Sequence, residues 1–189
     1  MSEDWRSPLA ATWRPGRHGN PEVTEPGVLI EEWRPAAMVQ VAAWPDSDAA
    51  VRETLDRLSA DGGNRPLALA PGRYLSVGDD PALADRLQAT LDVDLAAITD
   101  LSHARSAFRL TGSAARPLLQ KGLAIDLDPS AFAAGAVLQS SIHHIGVIVQ
   151  CAAPDTYDIY CYRGFALSLL EWLTDAAEEF GYDMPRSGF

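Results

Sequence analysis

The sequence has 189 residues, a length that fits one domain or two small ones and that can bury a core without a disulfide or a metal. Its 47% hydrophobic and 22% charged residues are typical of a globular protein and argue against a disordered or fibrous chain. A net charge of −11 opposes binding to a phosphate backbone or to anionic lipid, so we predict neither nucleic-acid nor membrane partners.

Residues 1–37 are predicted to form an extended arm that precedes the folded domain. Their prolines argue against a long helix or a central strand. These prolines are Pro8, Pro15, Pro21, Pro26 and Pro35. Tryptophan and arginine are enriched at protein–protein interfaces, so this segment holds the candidate interface residues. They are Trp5, Arg6, Trp13, Arg14 and Trp33. An arm on its own domain, an arm on another chain and a disordered tail all remain open.

Residues 38–101 are predicted to alternate strands and helices, with boundaries set by apolar spacing and turn residues. Asp46 or Ser47 is expected to cap the first helix. Asp79 or Asp80 is expected to cap the second helix. The predicted elements are a strand over Met38–Trp44, a helix over Asp48–Ala60, strands over Pro66–Ala70 and Arg73–Val77, a helix with Leu83, Leu87 and Leu91 on its apolar face, and a strand over Leu95–Leu101.

Residues 102–189 are predicted to repeat this order in pattern only. Gly112 and Ser113 are expected to open a helix as a simple cap, and Gly181 is expected to end the last helix. The predicted elements are a strand over Ser106–Leu110, a helix over Ala114–Lys121, strands over Ala136–Ser141, His144–Cys151 and Thr156–Tyr162, and a helix whose apolar face runs from Phe165 to Phe180.

The predicted fold class is α+β. The element order is roughly β-α-β-β-α-β followed by β-α-β-β-α, which indicates two split βαβ (ferredoxin-like) half-repeats with helices packed on an antiparallel sheet. We therefore predict one domain over residues 38–189, built from half-repeats at about residues 38–101 and 102–189, with the extended arm before it.

The two cysteines are predicted to be buried thiols. Cys151 and Cys161 end two strands of one predicted hairpin, about 17 Å apart along it and beyond disulfide reach. Reduced thiols are expected in a cytoplasmic protein. The N-terminus also lacks the basic start and apolar core of a secretory signal, and no apolar run is long enough to cross a bilayer. The predicted location is the cytoplasm.

No motif predicts a catalytic residue, a cofactor site or a metal site on this chain. His143 and His144 are adjacent, and no Cys-x-x-Cys or His-x-x-x-His spacing supplies further metal ligands. Glycine-rich phosphate loops and the G-x-S-x-G elbow of serine hydrolases are absent from the sequence. The acidic pairs Glu31-Glu32, Asp79-Asp80 and Glu178-Glu179 are interpreted as caps or solvated faces. These observations favour an accessory or scaffold subunit over an enzyme.

Two stretches resemble a known family. In the first, Asp100-Leu101-Ser102 and the L-x-G-x-x-A run of Leu110–Ala115 resemble the fold of the folate-dependent aminomethyltransferases, the glycine cleavage T-proteins. The continuation through Lys121-Gly122, Asp126-Leu127 and Phe132–Gly135 narrows the resemblance to the gamma subunit of heterotetrameric sarcosine oxidase. The second stretch, from Asp155 to Gly181, is similar to the C-terminal strand and helix of the same subunit.

The resemblance implies a non-catalytic gamma subunit in an oxidoreductase complex. That family's enzyme oxidatively demethylates sarcosine to glycine and yields formaldehyde or methylenetetrahydrofolate, with hydrogen peroxide. Alpha, beta and delta subunits are the partners it implies. The cofactors it implies lie on those partners: FAD on beta, FMN between alpha and beta, NAD and tetrahydrofolate on alpha, and zinc on delta.

Three alternatives stay open. One is a subunit of a related enzyme that acts on another N-methyl amino acid, since the substrate site would lie on a partner chain. Another is a stand-alone folate-binding protein of one-carbon transfer, for which Asp100 is the candidate carboxylate facing the pterin. The last is a partner-binding module unrelated to flavoenzymes.

Overall fold

The structure, a computed structural model, describes residues 6–60, 62 and 64–186. These residues form two compact units. One is Pro35–Arg105, and the other combines residues 6–34 with residues 106–186. We call them the middle unit and the terminal unit.

The secondary structure is mixed, as predicted. The strands and helices are, in chain order, β1 (Gly16–His18), β2 (Val28–Trp33), β3 (Ala37–Ala43), α1 (Asp48–Ala60), β4 (Arg65–Ala70), β5 (Arg73–Gly78), α2 (Leu83–Thr90), β6 (Ala96–Asp100), β7 (Arg105–Thr111), α3 (Ala115–Gln120), β8 (Val137–Ile142), β9 (Ile145–Ala153), β10 (Thr156–Tyr162), α4 (Ala166–Ala177) and β11 (Tyr182–Met184). Short 3-10 turns over Arg163–Phe165 and Glu178–Phe180 flank α4.

The middle unit is a split βαβ fold. Its strands lie in the order β4-β5-β3-β6, and each neighbouring pair is antiparallel. The first strand, β3, therefore pairs with both the third and the last strand of the unit. Helices α1 and α2 close the core because their apolar residues fall on one face, with Val51, Leu55, Leu83 and Leu87 fully buried.

Asp48 ties α1 to the hairpin of β4 and β5. Its carboxylate accepts hydrogen bonds from the Gly72 backbone N–H and from the Tyr74 hydroxyl. Of the two residues expected to cap α1, Ser47 directly precedes the helix, and its carbonyl accepts the Val51 N–H at 3.0 Å. Asp46 has a positive φ of 69° and lies one residue further from the helix. Asp48, the first residue of α1, is therefore the acidic residue that links the start of this helix to the hairpin.

The terminal unit contains a seven-stranded sheet in the order β1-β11-β2-β7-β10-β9-β8. In the middle unit the first and last strands of the split βαβ pattern are direct neighbours. Their counterparts here are β7 and β11, and β2 lies between them, antiparallel to β7 and parallel to β11. The N-terminal segment thus supplies an internal strand to a sheet whose other main strands come from the second half of the chain.

Helices α3 and α4 cover one face of this sheet. Leu118 and Leu119 of α3 and Leu169 and Leu173 of α4 are fully buried in its core. Lys121, the single lysine of the sequence, follows the last residue of α3 and links this end of α3 to the C-terminal end of α4. Its Nζ donates to the Ala176 carbonyl at 2.6 Å, at the C-terminal end of α4. The positive charge of Lys121 also interacts favourably with the negative, C-terminal end of the α4 dipole.

Most predicted elements are confirmed, and one prediction for the N-terminal segment is wrong. The helices over 48–60 and 166–177 and the hairpin of β9 and β10 lie where the sequence places them. Residues 16–18 and 28–33, however, form strands β1 and β2 of the sheet, although the proline density argued against a central strand. The nearest prolines, Pro26 and Pro35, lie outside Val28–Trp33, so they bound the strand without interrupting it.

The predicted boundaries shift in the same way. The sequence predicts an arm over residues 1–37 and a domain over residues 38–189, whose halves divide near 101/102. In the structure the units divide at 34/35 and at 105/106, and residues 6–34 belong to the terminal unit. Strand β2 accounts for the difference, since its pairing with β7 and β11 makes the segment part of that unit's sheet.

Gly112 offers a direct test of this packing. A Cβ at Gly112 would lie 2.5 Å from the Gly27 carbonyl oxygen, and its φ of 128° disfavours any L side chain. We expect Gly112→Ala to lower the free energy of unfolding by about 3 kcal/mol. Gly135→Ala is the matched control, because its φ of 90° is also positive while no atom lies within 4 Å of the added Cβ. The control is expected to cost about 1 kcal/mol. Equal losses in urea unfolding would contradict the close contact.

Candidate interaction surface

The predicted interface residue Trp13 belongs to the core of its own chain. Its side chain is 5% exposed, and its Nε1–H donates to the Pro185 carbonyl at 2.8 Å. A turn before it, closed by the hydrogen bond from Trp13 N to the Leu9 carbonyl, buries Leu9 completely. The ring of Trp13 is therefore not available to a partner.

The other predicted interface residues are placed differently. Arg6 and Arg14 are exposed, and Trp33 is half-buried. Arg14 donates from Nη1 to the backbone carbonyls of Ala11 and Trp13, which holds it on the turn. Trp5 lies outside the described residues. Arg6, Arg14 and part of the Trp33 side chain are thus accessible at the surface of the described residues.

Trp33 stacks in an ordered cluster on the sheet. The Arg109 guanidinium lies 4.4 Å from the centre of the Trp33 ring, and Tyr160 meets the same ring edge-on at 5.9 Å. Arg109 also forms a bidentate pair with Asp158, with donor–acceptor distances of 2.6 and 2.8 Å. Asp158 is completely buried, so this pair neutralises a carboxylate that water does not reach. No sequence pattern predicts this pair, because its members lie 49 positions apart.

A second cluster links the start of the described chain to the end of β2. The Ser7 hydroxyl is 2.6 Å from both carboxylate oxygens of Glu32. Arg163 donates from Nη2 to the Arg6 carbonyl. Burial raises the pKa of Glu32 above its usual value, while the Ser7 hydrogen bond and the charges of Arg163 and Arg34 lower it in part. Glu32 is therefore a half-buried, hydrogen-bonded group, contrary to its interpretation as a cap or solvated residue.

Large exposed apolar side chains fall in two places among the described residues. Trp44 and Val93 lie on the middle unit, where the Trp44 Nε1–H donates to the Val93 carbonyl at 2.8 Å. Tyr162, Phe165 and Leu167 lie on the terminal unit, at 53%, 48% and 39% exposure, around the start of α4. Exposed apolar side chains mark an interaction site where they form a contiguous patch.

The residues weighed as catalytic candidates lie in buried strands or in turns. Cys151 and Cys161 are free and buried, which confirms their prediction as buried thiols. Burial raises the pKa of Cys151, which disfavours a reactive thiolate. His143 and His144 form the exposed turn between β8 and β9, where the His143 ring lies 6.1 Å from the Trp172 ring.

Asp100, the carboxylate considered for a pterin, is engaged by its own turn. Its Oδ1 accepts from the Ser102 backbone N–H at 2.8 Å and from the Ser102 hydroxyl at 2.5 Å. Ser102 Oγ in turn accepts from the Met38 N–H at 3.0 Å. The Asp-Leu-Ser motif thus stabilises the turn after β6 and links it to β3, which is a role in the fold. At the start of α3, the backbone carbonyl of Gly112 accepts a hydrogen bond from the Ala115 N–H.

Metal-binding clusters and helices able to cross a membrane are both absent from the described residues. Within residues 6–60, 62 and 64–186, no group of three or more His, Cys, Asp or Glu side chains could hold a metal ion. Among the helices of the same residues, none has the length and apolar character that a membrane crossing requires.

The fold places the chain in a defined class. The glycine cleavage system aminomethyltransferase T of Bartonella henselae superposes with a TM-score of 0.60 at 15% identity, over 86% of this chain and 48% of that one. The chain therefore has the aminomethyltransferase-like α+β fold, as the sequence analysis predicts. At this level of identity the likeness concerns the fold alone.

Family relationships are more specific. The family model described as "Sarcosine oxidase, gamma subunit family" matches residues 46–179. The sarcosine oxidase subunit gamma of Corynebacterium sp. strain U-96 is 32% identical over 133 residues, which are 70% of this chain and 63% of the relative. That of Corynebacterium sp. strain P-1 is 31% identical over 119 residues, 62% of this chain and 59% of the relative. The chain belongs to the sarcosine oxidase gamma subunit family, and the match spans less than two thirds of these relatives' length.

A solved structure extends the likeness to nearly the whole chain. A chain of the heterotetrameric sarcosine oxidase from Corynebacterium sp. U-96, in complex with pyrrole 2-carboxylate, matches with a TM-score of 0.77 and 27% identity. The match covers 93% of this chain and 96% of that chain. It therefore includes N-terminal residues that the family model leaves out.

The Arg109–Asp158 pair yields a stability prediction. Arg109→Met leaves the fully buried Asp158 carboxylate without its bidentate partner, so we expect the free energy of unfolding to fall by about 3 kcal/mol. The double variant R109M/D158N removes the charges of both members of the pair and is expected to recover most of the loss. Urea unfolding of both variants measures the two losses in the free energy of unfolding. A double variant as unstable as the single one would show that the charge pair is not what holds the cluster.

Glu32 predicts a pH dependence. Its raised pKa means that the folded protein binds more protons than the unfolded chain in the window above about 4.5, so this group lowers stability as pH rises through that window. Glu32→Gln removes the titration and keeps an acceptor for Ser7. We expect E32Q to gain stability relative to the wild type as pH rises, and the two to converge at acid pH. The control Ser7→Ala removes a bond that lowers this pKa and should steepen the wild-type trend. An E32Q difference that stays constant across the window would contradict this.

Proposed function

We propose that this chain is the gamma subunit of a heterotetrameric sarcosine oxidase-type flavoenzyme and that its role there is structural. Its family and its similarity over 93% of its length to a chain of such an enzyme carry the proposal. The engagement of Asp100 by Ser102 and the buried, high-pKa Cys151 agree with a chain that contributes no catalytic group.

The proposed reaction belongs to the complex. It is the oxidative demethylation of sarcosine, or of a related N-methyl amino acid, to the primary amino acid, with formaldehyde or methylenetetrahydrofolate and hydrogen peroxide as further products. Alpha, beta and delta subunits are the proposed partners in the cytoplasm. FAD, FMN, NAD and tetrahydrofolate are proposed to lie on alpha and beta, and zinc on delta.

The physical need for such a subunit follows from this chemistry. Flavin and folate steps that occur on different chains require a fixed distance between their sites, since formaldehyde released into water is lost to the second step. A chain with two well-packed units and exposed apolar side chains is suited to hold larger subunits in one arrangement.

Gentle co-purification tests the proposal. The chain is tagged in its native host, and the visible spectrum and the masses of the captured chains are recorded. We expect a yellow complex with flavin absorption bands and further subunits, which turns over sarcosine or another N-methyl amino acid. A colourless chain that purifies alone under conditions of low ionic strength would contradict the proposal. Titration of that lone chain with tetrahydrofolate would then test the stand-alone folate reading.

A further inference from the structure

Strand β6 forms one edge of the four-stranded sheet of the middle unit. Among the described residues it pairs with β3 on one side and with no strand on the other. The Leu101 N–H donates to the Met38 carbonyl at 2.7 Å. Because backbone groups alternate in direction along an antiparallel strand, the N–H and C=O groups of Ile98 and Asp100 point away from β3. No hydrogen bond within the described residues satisfies those of Ile98, so β6 has an open backbone edge.

The opposite edge of the same sheet, β4, carries features that oppose the addition of a strand. Pro66 has no N–H, and the register of β4 against β5 shifts between Ala68 and Ala70. Proline and bulges both prevent edge strands from pairing with other chains. The five residues of β6 include no proline, lysine or arginine, and their register against β3 is continuous. Of these two edges, β6 is therefore the one that can accept another strand.

An apolar groove of about 380 Å³ is lined by residues of β6 and of the segments next to it. Its lining includes Leu91, Ala96 and Ile98, together with Trp44 and Val93, which are 47% and 78% exposed. The Trp44 Nε1–H donates to the Val93 carbonyl at 2.8 Å, which holds these two residues together. We call these five residues and the open edge the β6 groove. A strand that paired with β6 would place alternate side chains in it.

Carboxylates lie at both ends of the β6 groove. Asp92 and Asp94 lie in the turn before β6, where the Asp92 carboxylate accepts the Asp94 N–H at 3.0 Å. Asp100 is the last residue of β6, and all three residues are exposed. None of the three forms an ion pair with any described residue. Charge complementarity therefore favours an incoming strand with lysine or arginine on both sides of its apolar residues.

We propose that the β6 groove binds an extended segment of a partner subunit, which adds to β6 as an outer strand and carries basic side chains around an apolar centre. The inference rests on the proposed function, because it requires a partner protein. Open strand groups are satisfied by another strand and not by a helix, whose backbone groups bond to one another. A second copy of this chain is disfavoured, since antiparallel pairing of two β6 strands brings Asp100 of one copy close to Asp92 or Asp94 of the other.

Amide hydrogen exchange at single-residue resolution tests the strand addition. In the chain alone, the amides of Ala97 and Thr99 bond to β3 and are expected to exchange slowly, whereas that of Ile98 is expected to exchange fast. In the complex, the Ile98 amide is expected to slow at least tenfold, because the added strand accepts its hydrogen bond. An Ile98 amide that stays fast in the complex would overturn the inference.

Variants of the tagged chain in its native host test the charge of the incoming strand, with flavin absorbance per captured chain as the readout. Val93→Lys is expected to reduce captured flavin about tenfold, since it removes an apolar side chain and repels basic ones. Val93→Glu removes the same side chain but keeps the charge of the groove negative, so it should retain more partner. Higher salt should narrow this difference. Leu167→Lys makes the same change at an exposed position of α4 and should leave capture within about twofold.

Ile98→Pro tests the backbone edge itself. It deletes the outward N–H and leaves the hydrogen bonds between β6 and β3 in place, so we expect captured flavin to fall about tenfold. Thermal unfolding of each purified variant shows whether it folds. Val93 is 78% exposed and lies outside the core of the middle unit, so its two variants decide the question should Ile98→Pro fail to fold.

The outcomes separate this inference from the proposed function. A wild-type chain that captures no flavoprotein contradicts both. Capture that survives Val93→Lys and Ile98→Pro, or that Leu167→Lys abolishes instead, overturns the β6 groove alone. Equal losses for the two Val93 variants overturn the basic character of the incoming strand. A dimer of the isolated chain in light scattering, with the Ile98 amide already protected, would assign the edge to a second copy and overturn the inference.

Discussion

The terminal unit depends on the insertion of β2 between β7 and β11. A strand with neighbours on both sides satisfies its backbone groups on both edges, and here the pairs include Leu29 with Thr111 and Val28 with Tyr182. In the terminal unit β2 thus joins the last strand, β11, to β7 and the rest of the sheet. The N-terminal segment is therefore as much a part of the core as the strands from the second half of the chain.

This constraint changes which residues are available for contact with other proteins. Because β2 and the turn before β1 are packed, Trp13 and Leu9 become core residues and Trp33 is held under Arg109. The same packing joins the Ser7 hydroxyl to Glu32, and the Arg6 carbonyl to Arg163 just before α4. Within this segment, Trp13 and Trp33 thus contribute to the packing of the fold, while Arg6 and Arg14 lie exposed at the surface.

Elements with strong local signals could be predicted from the sequence. Helix α4 and helix α1 show apolar residues at helical spacing, and the hairpin of β9 and β10 joins two apolar runs across a proline turn. Strands β2 and β11 could not, because β2 lies between prolines and β11 has only three residues. What stabilises both is pairing between the two ends of the chain, which has no local signature. The Arg109–Asp158 pair could not be predicted for the same reason, since its members lie 49 positions apart. The fold family was indicated by the family resemblance and not by periodicity.

The central claim is that residues 28–33 form an internal strand of the folded chain rather than an arm that orders on a partner. Amide hydrogen exchange, read by mass spectrometry on the chain alone and within its complex, tests this directly. The account predicts that amides of Val28–Trp33 exchange as slowly as those of β7 and β10 in both states. Fast exchange of these amides in the isolated chain, with protection appearing in the complex, would contradict it.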